Sequence, residues 1–287
     1  MFAGFESRRI QTSGSEIFLR RAGSGPPLLL LHGYPQTHVI WHKIAPALAE
    51  RFSVITPDLR GYGDSGKPES DADHRPYSKR AMALDMVEVM DALGFERFSV
   101  AGHDRGGRVA HRLARDHPTR VDKLAVLDIA PTLYMYENTD MRFASAYYHW
   151  FFLIQPQGYP ERLIGADPAF YLKTKLGAWG QTGDAITPEA HAEYLRCFSD
   201  PATIHATCED YRASAGIDLA HDRQGSNRLA MPLLALWGAR GFVGQAYDLL
   251  ATWREVADNV QGRAVPGGHF LPEEAPDETL KALLAFL

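Results

Sequence analysis

The sequence predicts an α/β fold: a mostly parallel sheet flanked by helices, with a helical cap inserted late in the chain. Three observations carry that prediction. Short leucine-, isoleucine- and valine-rich runs alternate with amphipathic stretches of helical period over residues 1–131, as in a parallel sheet with crossover helices. The alternation lapses over 132–223, where no buried strand is legible and the chain is aromatic-rich and helical. It resumes at "MPLLALWGAR" (231–240). The expected organisation is a core of residues 1–131 and 224–287 with a cap at 132–223.

Element by element, "PPLLLLHGYP" (26–35) reads as a buried strand running into a Gly-Tyr-Pro loop. "WHKIAPALAERF" (41–52) reads as an amphipathic helix, and "SVITPDLRGYGDSG" (53–66) as a strand with a glycine-rich loop. "SKRAMALDMVEVMDALG" (78–94) has a serine cap signal at its start and a glycine stop, so it is a helix. "FSVAGHDRGGRVAHRLARDHP" (98–118) is a strand, a sharp turn and a helix, and "KLAVLDIAP" (123–131) another strand. In the inserted part, "RFASAYYHWFFLIQP" (142–156) and "EAHAEYLRCF" (189–198) are helical. After "MPLLALWGAR" come a helix near 247–256, the segment "VQGRAVPGGHFLPEEAP" (260–276) and a last helix, "DETLKALLAFL".

A chain of 287 residues, 45% hydrophobic, has core enough for one such domain with an insertion. Its net charge of −5 offers no basic footprint for nucleic acid. Two cysteines, Cys197 and Cys208, are too few for a disulfide framework or a zinc site and read as reduced thiols of a cytoplasmic protein. The start, "MFAGFESRRIQTSGSEIF", shows no apolar signal segment, and apolar runs such as 28–31 are too short to span a bilayer, so no membrane partner is expected.

In sheets of this kind ligands bind beyond the carboxyl ends of the strands. Asp104, Asp128 and His269 all fall just past predicted strand ends and should converge there. Asp104 stands where the G-x-S-x-G elbow puts its nucleophile. A helix-capping aspartate is the plain alternative, worth ~1 kcal/mol, but a cap does not need Gly102, Gly106 and Gly107 around it. Carboxylate attack on a carbonyl would give an anhydride, whereas displacement at saturated carbon gives an alkyl ester that water then cleaves. That second step needs a base, and His269 in "VPGGHFLPEE" follows the last strand, where nucleophile–acid–histidine order puts it. The base needs an orienting acid. "LLALWGARGFVGQAYD" (233–248) offers none before Asp248, expected inside the next helix, so by elimination the acid is Asp128 in "AVLDIAP". An oxyanion hole would use the backbone N–H groups of Arg105 and Tyr34. Arg105 and Arg108, three apart at a helix start, oppose the helix dipole and so point to an anionic partner such as a carboxylate. Neither metal nor cofactor is needed for this chemistry.

Taken with "LLLLHGYPQTH", "DLRGYGDS", "GHDRGGR", "LAVLDIAPT", "YYHWFFLIQP", "EDYRA" and "GGHF", the chain resembles the fluoroacetate dehalogenases of the α/β-hydrolase superfamily over essentially its whole length. "LHG" and "DLRGYG" are generic to the superfamily; "GHDRGGR" with "HW" is much more specific. The resemblance implies the α/β-hydrolase fold, Asp104 as nucleophile, Asp128 and His269 completing a triad, and Arg105 and Arg108 on a substrate carboxylate. It further implies a halide pocket of His149, Trp150 and Tyr211, a small haloacid as substrate, and a homodimer. Three N–H or O–H donors suit fluoride, a poor leaving group and strong acceptor. Without the resemblance, "YYHW" would read as cap packing. Trp179 is another aromatic of the cap that could face the pocket. One departure is Tyr34, where the family reads HGFP; its hydroxyl would make the substrate wall more polar. Epoxide hydrolases share the aspartate elbow and use two tyrosines, for which Tyr147, Tyr148 and Tyr211 are available, but they and haloalkane dehalogenases carry Trp where this chain has Arg105. A non-catalytic ligand-binding protein of the same fold is the alternative outside enzymes.

Overall fold

The leucine- and valine-rich runs are the centre of one eight-stranded sheet in the computed structural model, which describes residues 1–180, 183–224 and 228–287. The strands are β1 (Glu6–Gln11), β2 (Glu16–Ala22), β3 (Pro27–Leu31), β4 (Ser53–Pro57), β5 (Phe98–His103), β6 (Val121–Leu127), β7 (Leu233–Gly238) and β8 (Val260–Val265), in the order β1-β2-β4-β3-β5-β6-β7-β8. From β4 to β8 every neighbouring pair is parallel. Leu28, Leu29, Leu30 and Leu31 are fully buried, as central strands covered on both faces require.

Two strands were not legible in the sequence. β1 and β2 form an antiparallel hairpin, and β2 pairs antiparallel with β4. β1 is "ESRRIQ", almost wholly exposed, so no apolar alternation marks it. Its charged side chains suit an edge strand, where they discourage pairing with another chain.

The stretch 41–52 departs from the expected single helix. A 3-10 turn, His38–Trp41, ends at its first residue, and the only helix within it is short, α1 (Ala45–Ala49). Pro46 lies in the first turn of α1, where its missing N–H is no loss, and its ring would clash with a helix running in from before it. The next helix, α2 (Lys79–Ala92), is as expected: Ser78 Oγ accepts from the Ala81 N–H at 3.2 Å, and Gly94, at φ +81°, follows its end. α3 (Arg105–Asp116) leaves the elbow.

Between β6 and β7 the described residues form helices and no strand. These are α4 (Thr132–Glu137), α5 (Met141–Ala146), α6 (His149–Phe152), α7 (Tyr159–Ala166), α8 (Pro168–Trp179), α9 (Pro188–Phe198), α10 (Pro201–Ala215) and α11 (Ile217–Arg223). They lie over the carboxyl ends of the strands: the Tyr34 hydroxyl meets that of Tyr171 on α8 at 3.1 Å, and the His269 N–H donates to the Trp179 carbonyl at 3.2 Å. After β7 come α12 (Phe242–Ala246) and α13 (Leu249–Arg254), and after β8, α14 (Leu271–Glu274) and α15 (Pro276–Phe286). Asp248, expected within a helix, caps α13 instead and accepts from the Ala251 N–H at 3.0 Å. Among the described residues no helix is long and apolar enough to cross a membrane. Cys197 and Cys208 are buried and unpaired.

Candidate active site

β5 meets α3 in a turn that only small residues allow. Asp104 sits at its tip with φ 48° and ψ −118°, outside the ordinary regions for a side-chain-bearing residue. A Cβ on Gly106 would stand 2.3 Å from the His32 carbonyl oxygen, and one on Gly102 2.4 Å from that of Gly106. The Asp104 carboxylate makes no capping bond to α3. Its Oδ1 accepts from the Tyr34 N–H at 2.9 Å instead, which removes the plain capping explanation. The Arg105 N–H, first in α3, is among those a helix leaves without an internal acceptor. The loop carrying Tyr34 is pinned by His32, whose Nδ1 donates to the Gly33 carbonyl at 3.0 Å while Nε2 accepts from the Leu59 N–H at 2.9 Å.

Asp128 follows β6 with φ 54°. Its Oδ1 accepts from the Gly238 N–H at 3.0 Å, and Oδ2 pairs with His269 Nδ1 at 2.7 Å. The far nitrogen of that ring, Nε2, lies 3.8 Å from Asp104 Oδ2, beyond hydrogen-bond distance. Burial alone would push the Asp104 carboxyl up; His269, with Arg108 and Arg105, overrides it and holds the group below its usual range. Burial likewise opposes a charged His269, yet the hydrogen bond and charge of Asp128, with the charge of Asp104, lift it above the ordinary imidazole value. His103, buried at the end of β5, is pushed down to about 3 and stays neutral, so its Nε2 donates to the His269 carbonyl at 2.8 Å.

The two elbow arginines, equivalent in sequence, differ in surroundings. Arg105 is fully buried and gripped by Asp210 of α10: Nε to Oδ2 at 2.9 Å and Nη2 to Oδ1 at 2.6 Å. Its Nη2 also donates to Ser214 Oγ, and only Nη1 has no protein partner. Among the described residues Arg108 meets no carboxylate within ion-pair distance. Its Nη1 donates to the Ala130 carbonyl and Thr132 Oγ1 at 3.2 and 2.9 Å, and its buried Nε has no protein partner. Each guanidinium lies over a ring of the helical segment: Arg105 at 4.1 Å from the Tyr211 centroid, Arg108 at 4.7 Å from that of Trp150.

Those rings belong to one aromatic cluster. His149 and Tyr211 are 5.5 Å apart by centroid, Trp150 and Tyr211 6.5 Å, and Tyr34 packs against Tyr211 at 5.3 Å. His149 Nδ1, Trp150 Nε1 and the Tyr211 hydroxyl are all buried without a protein hydrogen-bond partner. Buried donors are seldom left so, which makes their grouping here informative. Burial drives His149 well below the usual imidazole value, so the ring is neutral with one N–H. Trp179 joins the cluster, 4.5 Å from His149 and 5.6 Å from His269. The Tyr34 hydroxyl is turned to Tyr171, so it does not add to the polar wall as its replacement of phenylalanine suggested.

All the positions singled out from the sequence thus form one connected group. Asp210 was not among them. The signal was there, since an arginine buried at a helix start needs an acid and "EDYRA" holds one beside Tyr211. Which of many acids it was depended on the packing of α10 against the elbow.

The α/β hydrolase fold model matches residues 26–276, and the chain belongs to that family. It is 46% identical over 289 residues to a fluoroacetate dehalogenase of Burkholderia sp, covering 100% of this chain and 95% of that protein. It is 38% identical to a soluble epoxide hydrolase of Corynebacterium sp. (strain C12), covering 92% and 91%. Among solved structures, ALR0039 from Nostoc sp PCC 7120 superimposes with a TM-score of 0.99 at 61% identity, covering 100% of this chain and 99% of that one.

The His269–Asp128 contact makes a direct prediction. Asp128→Asn removes the charge that lifts His269, so the imidazole pKa, followed by NMR titration of its ring protons, should fall. An unchanged or higher value would contradict the electrostatics described. In the wild-type chain the neutral, basic form of His269 should be lost as pH falls through its raised pKa, so activity depending on it should decline on that acid side.

Proposed function

We propose that the protein is a hydrolase acting on carbon–halide bonds, and that it converts a small 2-haloacid such as fluoroacetate or chloroacetate to the 2-hydroxy acid and halide through an ester on Asp104. One observation carries the reading: three buried polar groups, His149, Trp150 and Tyr211, with no partner among the described residues, grouped with a cation that meets no carboxylate there, Arg108, beside a carboxylate held ionised. The similarity to the Burkholderia fluoroacetate dehalogenase over the whole chain supports it.

In this reading the substrate carboxylate lies against Arg108 and the free Nη1 of Arg105, and the halogen faces His149, Trp150 and Tyr211. Asp104 Oδ2, not hydrogen-bonded by His269, attacks the halogen-bearing carbon; the carbon–halogen bond breaks and the halide leaves with its electron pair toward the three donors. Water then gives a proton to His269 Nε2 and adds to the Asp104 carboxyl carbon. The oxyanion forming on Oδ1 is held by the N–H groups of Tyr34 and Arg105. Collapse breaks the bond to the ester oxygen, which takes the proton from His269 and leaves as the 2-hydroxy acid, and the carboxyl left on Asp104 loses its proton to solvent and is again a carboxylate. Asp128 orients the ring and stabilises its charged form. The helices of 132–223 act as a cap that shields the ester from bulk water, over a core of 1–131 and 224–287.

We also infer a cytoplasmic homodimer. The unpaired cysteines fit a reducing compartment. Met141, Tyr159, Leu163 and Phe170 are the exposed large apolar side chains on α5, α7 and α8, and a second copy would cover them. Sedimentation at micromolar concentration should give a dimer, and a monomer would overturn this part.

The ester stage has its own test. His269→Ala should release about one halide per site from chloroacetate and then stall, with mass spectrometry finding a carboxymethyl group on Asp104. Sustained turnover at the wild-type rate would remove His269 as the base.

Substrate class is tested at Arg108. A charge-assisted hydrogen bond is worth roughly 1.5–3 kcal/mol, so Arg108→Ala should lower kcat/KM for haloacetate by roughly 10- to 150-fold. Arg108→Lys should also weaken turnover, because it keeps the charge and loses the planar fork. Haloacetamide, which has no carboxylate, should be a poor substrate, nearly indifferent to both changes. Conversion of haloacetamide or styrene oxide as fast as haloacetate would favour the epoxide-hydrolase alternative, for which the Corynebacterium relative and buried Tyr147 near Asp128 and Asp104 speak.

A further inference from the structure

A second cation lies between this cluster and the surface. Lys175 on α8 is 2% exposed. Among the described residues its ammonium meets no carboxylate or carbonyl and touches only rings: Nζ is 3.5 Å from the Tyr148 centroid, 5.4 Å from Trp179 and 5.5 Å from Tyr171. A lysine that only covers apolar surface keeps its head in bulk water, and this one does not. Burying an amine without an acceptor costs free energy that a methionine of the same length would avoid.

The ammonium does not face a sealed interior. Lys175 lines a cavity of about 400 Å³ with Tyr147, Tyr148, Trp179, Phe242 and His269. His269 is buried beside Asp104, while Tyr148 is 48% exposed, so the cavity leads from the surface to the elbow. The charge of Lys175 is also felt by His149, at the inner end.

We propose that Lys175, framed by Tyr148, Tyr171 and Trp179, is a second anion site in the cavity leading to Asp104, taking a small monovalent anion: the carboxylate of an arriving haloacid or the halide on its way out. The proposal rests on the functional reading above for its ligand and on the cavity for its place. Such a site draws anions inward past a mouth lined by rings and hands them to Arg108, and a neutral molecule gains nothing from it. Burial pushes the free amine down to about 7, and an adjacent anion would raise it, so the charge is strongest when the site is filled. The groups facing it are Tyr148 and His149 at α6, Tyr147 before them, Tyr171 on its own helix, His269 after β8 and Arg240 after β7.

The test compares Lys175→Met, which keeps the stem, with Lys175→Arg, which keeps the charge. For chloroacetate, K175M should raise KM about tenfold with kcat within about twofold, while kcat/KM for chloroacetamide stays put and K175R stays near wild type. Bromide quenching of tryptophan fluorescence, read without turnover, should show one more saturable component in wild type and K175R than in K175M, in which only quenching from the inner site beside Trp150 remains. A raised KM assigns the site to the arriving carboxylate, and weaker inhibition by bromide assigns it to the departing halide; either supports the proposal. Unchanged kinetics and quenching in K175M, or equal losses on chloroacetate and chloroacetamide, would overturn it. If wild type releases no halide from chloroacetate, the functional reading falls, and the quenching comparison still decides whether Lys175 binds anions.

Discussion

Keeping one buried carboxylate ionised is the constraint around which this structure is arranged. Asp104 is nearly inaccessible to water, and desolvation alone would protonate it. The nucleophilic role proposed for Asp104 requires the ionised form, since a neutral acid cannot attack carbon. The elbow therefore needs positive charge close by and N–H groups aimed at the carboxylate. Arg105 and Arg108 come from the helix that the elbow starts, Tyr34 from the loop after β3, and His269 from the loop after β8. Parallel strands that end on one edge of the sheet deliver all of them to the same place.

The cations must in turn be kept from collapsing onto Asp104. Asp210 does this for Arg105, and it also holds the Lys79 ammonium and accepts from the Tyr62 hydroxyl at 2.6 Å. Buried ion pairs add little net stability, but they set register. Here the cluster joins α10 to the elbow and to the start of α2, which places Tyr211 over Arg105. Among the described residues Arg108 lacks such an acid and rests on a carbonyl, a hydroxyl and the face of Trp150. Two arginines three residues apart thus have different surroundings, Arg105 paired with a buried acid and Arg108 with none among the described residues.

The same logic explains the aromatic wall. Rings exclude water and strengthen every charge interaction inside, and His149, Trp150 and Tyr211 each keep one polar atom that the described residues leave without a partner. Tyr34 shows that a hydroxyl need not change the chemistry of such a wall. Its ring lies among these donors, and its oxygen is drawn off to Tyr171.

Much of this was legible because it is local. The strand–glycine–aspartate–glycine–helix turn is steric, so Asp104 and its strained backbone could be read from 98–118. Leucine-rich runs mark strands covered on both faces, which set the sheet from β3 to β7, and chain order then pointed to Asp128 and His269. Exposed β1 carried no apolar alternation, and in β2 only Ile17 and Leu19 alternate into the core before two arginines follow, so the hairpin became visible only through its ladder. Pro46 could have warned that 41–52 is not one helix, but the amphipathic pattern outweighed it. What tertiary structure alone decided is pairing at long range: that Asp210 meets Arg105, that the Tyr34 hydroxyl turns to Tyr171, and that Lys175 is buried among rings with no acid beside it among the described residues. Sequence spacing says which face of a helix a residue occupies. Which charge lies opposite depends on how separate elements pack, and in a buried site that choice sets which groups are ionised.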